Sequence, residues 1–402
     1  MAVEGNSSTT KRPALVADVG REPDVFDVLR QEWRALEQQA PPHSPTPTFD
    51  YARLAWQGMS KVGGVEPAVL TVRRGAQLVC VWSLFTRRHN GLSVASHLGC
   101  GSNHEYAGPL IVDDADTRAV AALALASARP LADVLRIYNL RPASAMACAL
   151  DADRSLKFRG SVFSPVVSLA GFGDWQGWTA SKPRKFSSEL RRRRRRLAEL
   201  GDLQSVRTSG SVEAAQIVDW LFEAKRKWLF ARGIRRSWIL EPRARTLFAA
   251  LLSRHHADAF DKADFLVFAL KLDGKTIAAS LCSRSRDRLE SHMTAFDPAF
   301  AAYAPGSLLT EDQVRWAIGE RVDLDLRITR DPYKLVWADR GDRYDSFAIA
   351  CSLRGVPTVL GEHVHGTIRS ARRALGPRVK ALFRRFGATV PSARGRPAGD
   401  LL

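Results

Sequence analysis

A short segment near residue 300 combines residue types that suit phosphate binding. It reads FAAYAPGSLL and joins a predicted strand to a predicted helix. Gly306 lets a ligand approach the backbone closely, and the first N–H groups of a helix lack internal partners and carry the positive end of its dipole. Such a helix start is a site for phosphate or pyrophosphate. The alternative is an ordinary helix start with Pro-Gly as a turn and Ser307 as the cap. The candidate residues are Tyr303, Pro305, Gly306, Ser307 and Leu308.

Side chains that could transfer protons lie on two predicted strands. Glu290 and His292 are two residues apart in a strand, so they share one face. Asp325 alternates with leucines in another strand and is expected to face the cleft. These three are candidates for general acid–base chemistry. The alternative for His292 is a hydrogen-bonded strand histidine without a catalytic role.

The elements that must position these residues occur as two series in the same order. The first half is predicted to hold strands at 68–72, 78–84 and 92–97, a helix at 115–128, and strands at 134–140 and 162–167. The second half is predicted to hold helices at 183–200, 214–230 and 243–256, strands at 265–270, 276–283 and 288–296, a helix at 307–319, and strands at 322–327 and 344–352. This order predicts an α/β protein. The predicted organisation is a disordered start (1–20), two units (21–170 and 171–362) and a basic tail (363–402).

Several short motifs, taken in order, resemble the GNAT-related acetyltransferases often labelled cellulose-biosynthesis proteins, which are related to the Fem-type peptidyl transferases. The motifs are AFDPAFAAYAPGSLL from Ala295, DLRITRDPYKLVW from Asp325, NHEYAGPL from Asn103 and WLFARG from Trp228. The resemblance covers residues 49–337. It implies two tandem GNAT-like units, each a mixed, mainly antiparallel sheet flanked by helices. It also implies that the second unit holds acyl-CoA, in the first place acetyl-CoA, and transfers its acyl group to an amine or hydroxyl.

The resemblance also suggests roles for particular residues. Tyr333 and Lys334 match the family's Tyr-Lys pair. Attack on a thioester needs a base, a donor to the carbonyl oxygen and an acid for the leaving thiolate, and Tyr333 is the candidate acid. Lys334 is a candidate phosphate ligand, with a solvated or salt-bridged lysine as the alternative. His104 and Tyr106 lie in a loop of the first unit and are candidates for the acceptor side. No metal-ligand cluster is found in the sequence, so no metal is expected.

Two features favour a function of another class. The Arg/Gln-x-x-Gly-x-Gly/Ala loop of ordinary GNAT enzymes is absent, and Thr329 stands where relatives tend to have glycine. The alternative is therefore a catalytically silent GNAT scaffold that binds nucleic acid or an anionic membrane through its basic segments.

The net charge of +18 comes mainly from two segments. Residues 182–196 and 366–402 each contain nine basic residues and one acidic residue, a net charge of +8. Arg193 lies in a docking stripe with Phe186, Leu190, Leu197 and Leu200, so it needs a carboxylate partner or an anionic ligand. The other arginines are either a solvated face or a surface for nucleic acid, a polyanionic glycan or acidic lipids. The tail places apolar residues among its arginines and suits an anionic membrane surface.

Composition and length indicate a two-domain cytoplasmic protein. The chain has 402 residues, of which 45% are hydrophobic and 25% charged. No apolar run approaches the roughly 20 residues of a membrane span, and the polar start lacks the core of a secretion signal. Five cysteines without a CxxC pair are expected to be reduced, and Cys80 and Cys282 to be buried. The family label alone suggests a role in polysaccharide or envelope biosynthesis.

Overall fold

The structure is a computed structural model that describes residues 13–89, 91–99, 101, 105–141, 143–253, 264–328 and 331–367. Its strands are β1 (Leu15–Gly20), β2 (Val65–Arg74), β3 (Gln77–His89), β4 (Leu92–His97), β5 (Leu110–Ile111), β6 (Val134–Leu140), β7 (Lys157–Val167), β8 (Leu203–Thr208), β9 (Phe265–Leu272), β10 (Lys275–Arg284), β11 (Arg288–Phe296), β12 (Asp323–Asp325) and β13 (Arg340–Ala350). The α-helices are α1 (Val25–Gln39), α2 (Phe49–Met59), α3 (Thr117–Ala128), α4 (Ala145–Ala152), α5 (Trp175–Ala180), α6 (Arg184–Ala198), α7 (Val212–Ala231), α8 (Pro242–Ser253), α9 (Pro305–Gly319) and α10 (Pro332–Trp337). Residues 356–367 are also helical.

The two halves of the chain repeat one arrangement of strands. In the first half β2, β3 and β4 are antiparallel and β6 runs parallel to β4. In the second half β9, β10 and β11 are antiparallel and β12 runs parallel to β11. A parallel pair needs a crossover connection, and α3 and α9 provide it. The predicted fold class is confirmed: a mixed α/β fold with a large, mostly antiparallel sheet flanked by helices.

The two halves share one continuous sheet because they exchange their last strands. The order is β1-β2-β3-β4-β6-β13-β7-β12-β11-β10-β9-β8, with β5 beside β3. β13, from the second half, pairs with β6 of the first, while β7, from the first half, pairs with β12 of the second. β7 and β13 also pair with each other over ten residues. Residues of both halves therefore meet at the middle of the sheet.

Three local predictions differ from the structure. Disorder was predicted through residue 20, but Leu15–Gly20 forms a strand that pairs with β2. Its alternating apolar residues suit a half-buried edge strand, although the segment is short. β8 and α4 were not predicted. The predicted tail helix, 363–386, begins earlier, at residue 356, and most of it lies beyond the described residues.

Two apolar cores support the sheet. One contains side chains of both halves, for example Trp33, Trp82, Leu221 and Phe248. The other lies mainly in the second half and includes the residues Trp178, Leu190, Leu197, Leu308 and Trp337. Cys80 and Cys282 are fully buried, as predicted. Within the described ranges, no helix is long and apolar enough to cross a membrane.

Candidate functional site

The strands β11 and β12 diverge at the centre of the second half. Their parallel ladder has three pairs, from Arg288–Asp323 to Glu290–Asp325, and β11 then continues to Phe296. The register between β10 and β11 shifts at the same place, since Leu281 pairs with Met293 and Cys282 with Ser291. His292 is therefore the extra residue of a β-bulge. Bulges redirect side chains and are common beside active sites.

His292 lies buried at this bulge. Its Nε2 atom is 2.6 Å from the hydroxyl of Ser283, and its ring packs against Phe248 and Phe265. Burial, followed by the charge of Arg327, holds the pKa of His292 well below its usual value. The imidazole is therefore neutral at physiological pH.

Glu290 is fully buried and accepts hydrogen bonds from both halves of the chain. Ser44 donates at 3.0 Å, Arg327 at 2.6 Å and Arg141 at 3.5 Å. Its carboxylate also lies 4.0 Å from Nε2 of His292, as expected from their shared face. Glu290 is hydrogen-bonded to other side chains of the protein, which is typical of a residue that holds Arg327 in place. Its role as a base stays a prediction.

Asp325 is the second fully buried carboxylate and joins four parts of the chain. It accepts hydrogen bonds from the hydroxyls of Tyr106 and Tyr344, each at 3.1 Å, from the hydroxyl of Ser164, and from the N–H of Arg327 at 2.7 Å. The two tyrosine rings stack 4.1 Å apart. Burial, then the charge of Asp325, raise the pKa of Tyr106 well above its usual value, so Tyr106 remains a donor.

Arg327 connects these carboxylates and was not predicted as a site residue. Its guanidinium lies 3.9 Å from the ring centroid of Tyr106 and bonds to Glu290, while its backbone bonds to Asp325. Its φ of +63° is in the left-handed region, which costs energy for a residue other than glycine. The predicted strand 322–327 placed it on the same face as Asp325, two residues before it, although β12 ends at Asp325 in the structure. No comparable sequence pattern indicated Ser44, Ser164 or Tyr344.

The predicted phosphate-binding residues lie at the start of α9, apart from this network. The helix begins at Pro305, two residues before the predicted start, so Gly306 lies in its first turn. Leu308 is fully buried in the core and Pro305 is buried, which leaves Gly306 and Ser307 half-buried at the surface. Among the described residues, a Cβ atom on Gly306 would meet only Phe296, at 3.7 Å. The guanidinium of Arg196 lies 5.3 Å from the ring centroid of Tyr303.

The Tyr-Lys pair lies on α10, beside the residues that follow β12. Tyr333 is 43% exposed, and burial, then the charge of Asp331, raise its pKa to about 12, so its hydroxyl is protonated at neutral pH. Lys334 is buried, and its ammonium group donates to the carbonyls of Leu326 and Arg327. It also lies 3.9 Å from Asp331, so the salt-bridged alternative describes it better than a phosphate ligand does.

The burial of Lys334 predicts a pH dependence of stability. Burial lowers its pKa from the ordinary 10.5 to about 8. Between these values the unfolded chain holds a proton that the folded chain has released, so this group makes stability rise with pH across that window. In urea unfolding between pH 8 and 10.5, we expect the free energy of unfolding to rise less with pH in Lys334→Met than in the unsubstituted protein. Lys227→Met, at a position whose side chain is 75% exposed, should keep the original slope. Equal slopes in all three proteins would contradict the prediction.

The remaining predicted residues lie elsewhere. Arg193 bonds to Glu189 at 2.7 Å on its own helix, and it is Arg194 that reaches α9, where it bonds to Asp312 at 2.7 Å. Of the predicted docking stripe, Leu190 and Leu197 are buried but Leu200 is 48% exposed. His104 and Thr329 lie outside the described residues. No group of three or more His, Cys, Asp or Glu side chains in the described ranges could hold a metal ion.

The fold and a family match indicate which class of protein this chain resembles. Residues 184–335 match the family model described as acetyltransferase (GNAT) domain. The chain has the fold of the GNAT acyltransferases and is related in fold to the Fem peptidyl transferases. No curated protein matches its sequence.

Three solved structures have a similar fold. FemX is 13% identical, with 78% of this chain and 95% of that chain covered and a TM-score of 0.54. L-PGS from Bacillus licheniformis is 12% identical, with 86% and 98% covered and a TM-score of 0.53. The C-terminal domain of a putative lysylphosphatidylglycerol synthetase from Agrobacterium fabrum is 14% identical, with 84% and 96% covered and a TM-score of 0.50.

Proposed function

We propose that this protein transfers an acyl group, in the first place acetyl, from acyl-CoA to an amine or hydroxyl acceptor. The observation that carries the proposal is the start of α9, which has no acidic residue in its first turn and is joined by residues 297–304 to β11, the strand that diverges from β12. The positive end of the helix dipole attracts a pyrophosphate there. A role in polysaccharide or envelope biosynthesis is proposed on the resemblance alone, and a cytoplasmic location on the composition of the sequence.

The proposed reaction uses residues on both sides of the point where β11 and β12 diverge. The acceptor attacks the thioester carbonyl, so a bond to the acceptor forms and the C–S bond breaks. His292, neutral because it is buried, is the candidate base, and its Nε2 atom lies 4.0 Å from Glu290. Tyr333, protonated because its pKa is about 12, is the candidate acid for the departing thiolate.

Donor binding at α9 can be tested at Gly306. We expect Gly306→Val to abolish acetyl-CoA binding in isothermal titration calorimetry, because the added side chain covers the first N–H groups of the helix. The fold should survive, since the nearest described neighbour of a Cβ atom there is Phe296, at an ordinary contact distance of 3.7 Å.

A matched control lies at the other end of the same helix. A Cβ atom on Gly319 would have no described neighbour within 4 Å, so Gly319→Val makes the same change away from the proposed site. This variant should bind acetyl-CoA like the unsubstituted protein. Unchanged affinity in Gly306→Val would remove the donor from the start of α9.

A second candidate function is favoured by the surface of α6. Arg191, Arg195 and Arg196 are exposed there, and they belong to residues 182–196, one of the two segments that carry most of the net charge. A catalytically silent scaffold that binds an anionic membrane or nucleic acid would use this face together with the basic tail. Sedimentation with anionic vesicles in the absence of any acetyl-CoA binding would favour this function over acyl transfer.

A further inference from the structure

Large apolar side chains are exposed on two neighbouring helices of the second half. Near the end of α7, Trp228 and Phe230 are 42% and 37% exposed. On α10, Leu335 and Val336 are 59% and 61% exposed, whereas the other face of this six-residue helix is buried. Apolar side chains that are exposed together mark an interaction surface.

Contacts at both ends of α10 connect these side chains into one surface. Lys225 of α7 lies 4.8 Å from the ring centroid of Trp228. Burial lowers the pKa of Lys225, and the charge of Asp331, the residue before α10, acts against this shift, so the end of α7 is close to the start of α10. At the other end of α10, Lys182 donates to the carbonyl of Trp337 at 3.2 Å. The end of α7, α10 and the start of α6 therefore form one surface, here called the α10 surface.

Basic side chains flank the apolar ones, and carboxylates neutralise only part of their charge. Arg226 and Lys227 share one carboxylate, that of Glu223. Other exposed basic residues of the α10 surface form no ion pair with a carboxylate among the described residues: Arg184, Lys185, Arg232 and Arg235. The guanidinium groups of Arg232 and Arg235 lie 3.9 Å and 5.1 Å from the ring centroids of Trp228 and Phe230. The α10 surface is therefore both apolar and positively charged.

We propose that the α10 surface binds the surface of an anionic membrane. Its arginines and lysines attract acidic headgroups, aromatic rings are suited to the headgroup level, and exposed aliphatic side chains gain by entering the acyl boundary. Nucleic acid would use the basic and aromatic residues but not Leu335 and Val336, so the combination favours a membrane. The α10 surface differs from the arginine run of α6 and from the basic tail, which the second candidate function uses. Tyr333 lies on α10, so the candidate acid of the proposed transfer would lie beside the membrane, but membrane binding does not depend on that transfer.

Trp228 provides a readout that is independent of acyl transfer. All ten tryptophans lie in the described residues, and Trp228 is the only exposed one. The full chain is mixed with vesicles of equal parts phosphatidylglycerol and phosphatidylcholine with brominated acyl chains, which quench a tryptophan that enters the membrane. We expect quenching in the unsubstituted protein, its loss in Trp228→Phe, and neither quenching nor sedimentation with vesicles of brominated phosphatidylcholine alone. Sedimentation of the unsubstituted protein without quenching would place another surface on the membrane and overturn the proposal.

A matched pair of substitutions tests whether the α10 surface is responsible. Leu335→Ser should lower the partition coefficient onto the anionic vesicles about tenfold, since burial of one leucine side chain contributes at least that factor. Leu353, which is 90% exposed in the turn after β13, lies outside the α10 surface, so Leu353→Ser should leave the coefficient unchanged. An equal effect in both variants would overturn the proposal, as would binding of a single-stranded oligonucleotide without binding of vesicles. Acetyl-CoA binding at α9 is measured separately, so either proposal can fail while the other stands.

Discussion

Replacement of Arg327 by methionine is expected to lower the free energy of unfolding by about 3–5 kcal/mol, the cost of breaking a buried ion pair. The guanidinium bonds to the fully buried Glu290 at 2.6 Å and lies over the ring of Tyr106. Without it, Glu290 is left with the hydroxyl of Ser44 and the longer contact with Arg141. Arginine and methionine both carry a Cβ atom, so both meet the same cost of the left-handed backbone at this position. The difference in the free energy of unfolding therefore measures the loss of the guanidinium. Urea unfolding at neutral pH measures it.

Two further variants identify the cause of this loss. Arg192 bonds to Glu189 on the exposed surface of α6, and Arg192→Met should leave the stability unchanged within error. The double variant Arg327→Met with Glu290→Leu removes both charges, so it should regain most of the stability. A double variant as unstable as the single one would show that the ion pair is not the source of the effect.

Replacement of Tyr333 by phenylalanine is expected to lower kcat for acetyl transfer by about 10²-fold, the loss that removal of a general acid causes. The hydroxyl is protonated at neutral pH because its pKa is about 12, and the side chain is exposed enough to meet a substrate. Acetyl-CoA binding should be unchanged, because the ring remains. Stopped-flow turnover and calorimetric titration measure the two quantities separately.

Tyr138→Phe is the matched control, since Tyr138 lies in β6 with its ring near His97, away from α10. It should turn over at the original rate. A fully active Tyr333→Phe would remove Tyr333 from the mechanism. A loss of acetyl-CoA binding in the same variant would make it a binding residue instead.

Much of the local structure could be predicted from the sequence. The strand predicted at 288–296 is β11, and the helices predicted at 183–200 and 214–230 are α6 and α7 with ends shifted by a few residues. The nearness of Glu290 and His292 also followed from the period of two in a strand. Patterns of this kind are visible because each depends on residues a few positions apart.

The exchange of β7 and β13 and the network around Arg327 were decided only by the tertiary structure. Ser44 bonds to Glu290 across 246 positions of sequence, and Tyr106 to Asp325 across 219. The hydrophobic pattern of a strand indicates which face is buried, but it does not indicate which strand lies beside it. The sequence therefore predicted that each half would keep its own last strand. The choice depends on packing between distant segments, which also brings charges of the two halves together. The sequence therefore determined the elements and the candidate chemistry, while long-range packing determined which side chains meet in the site.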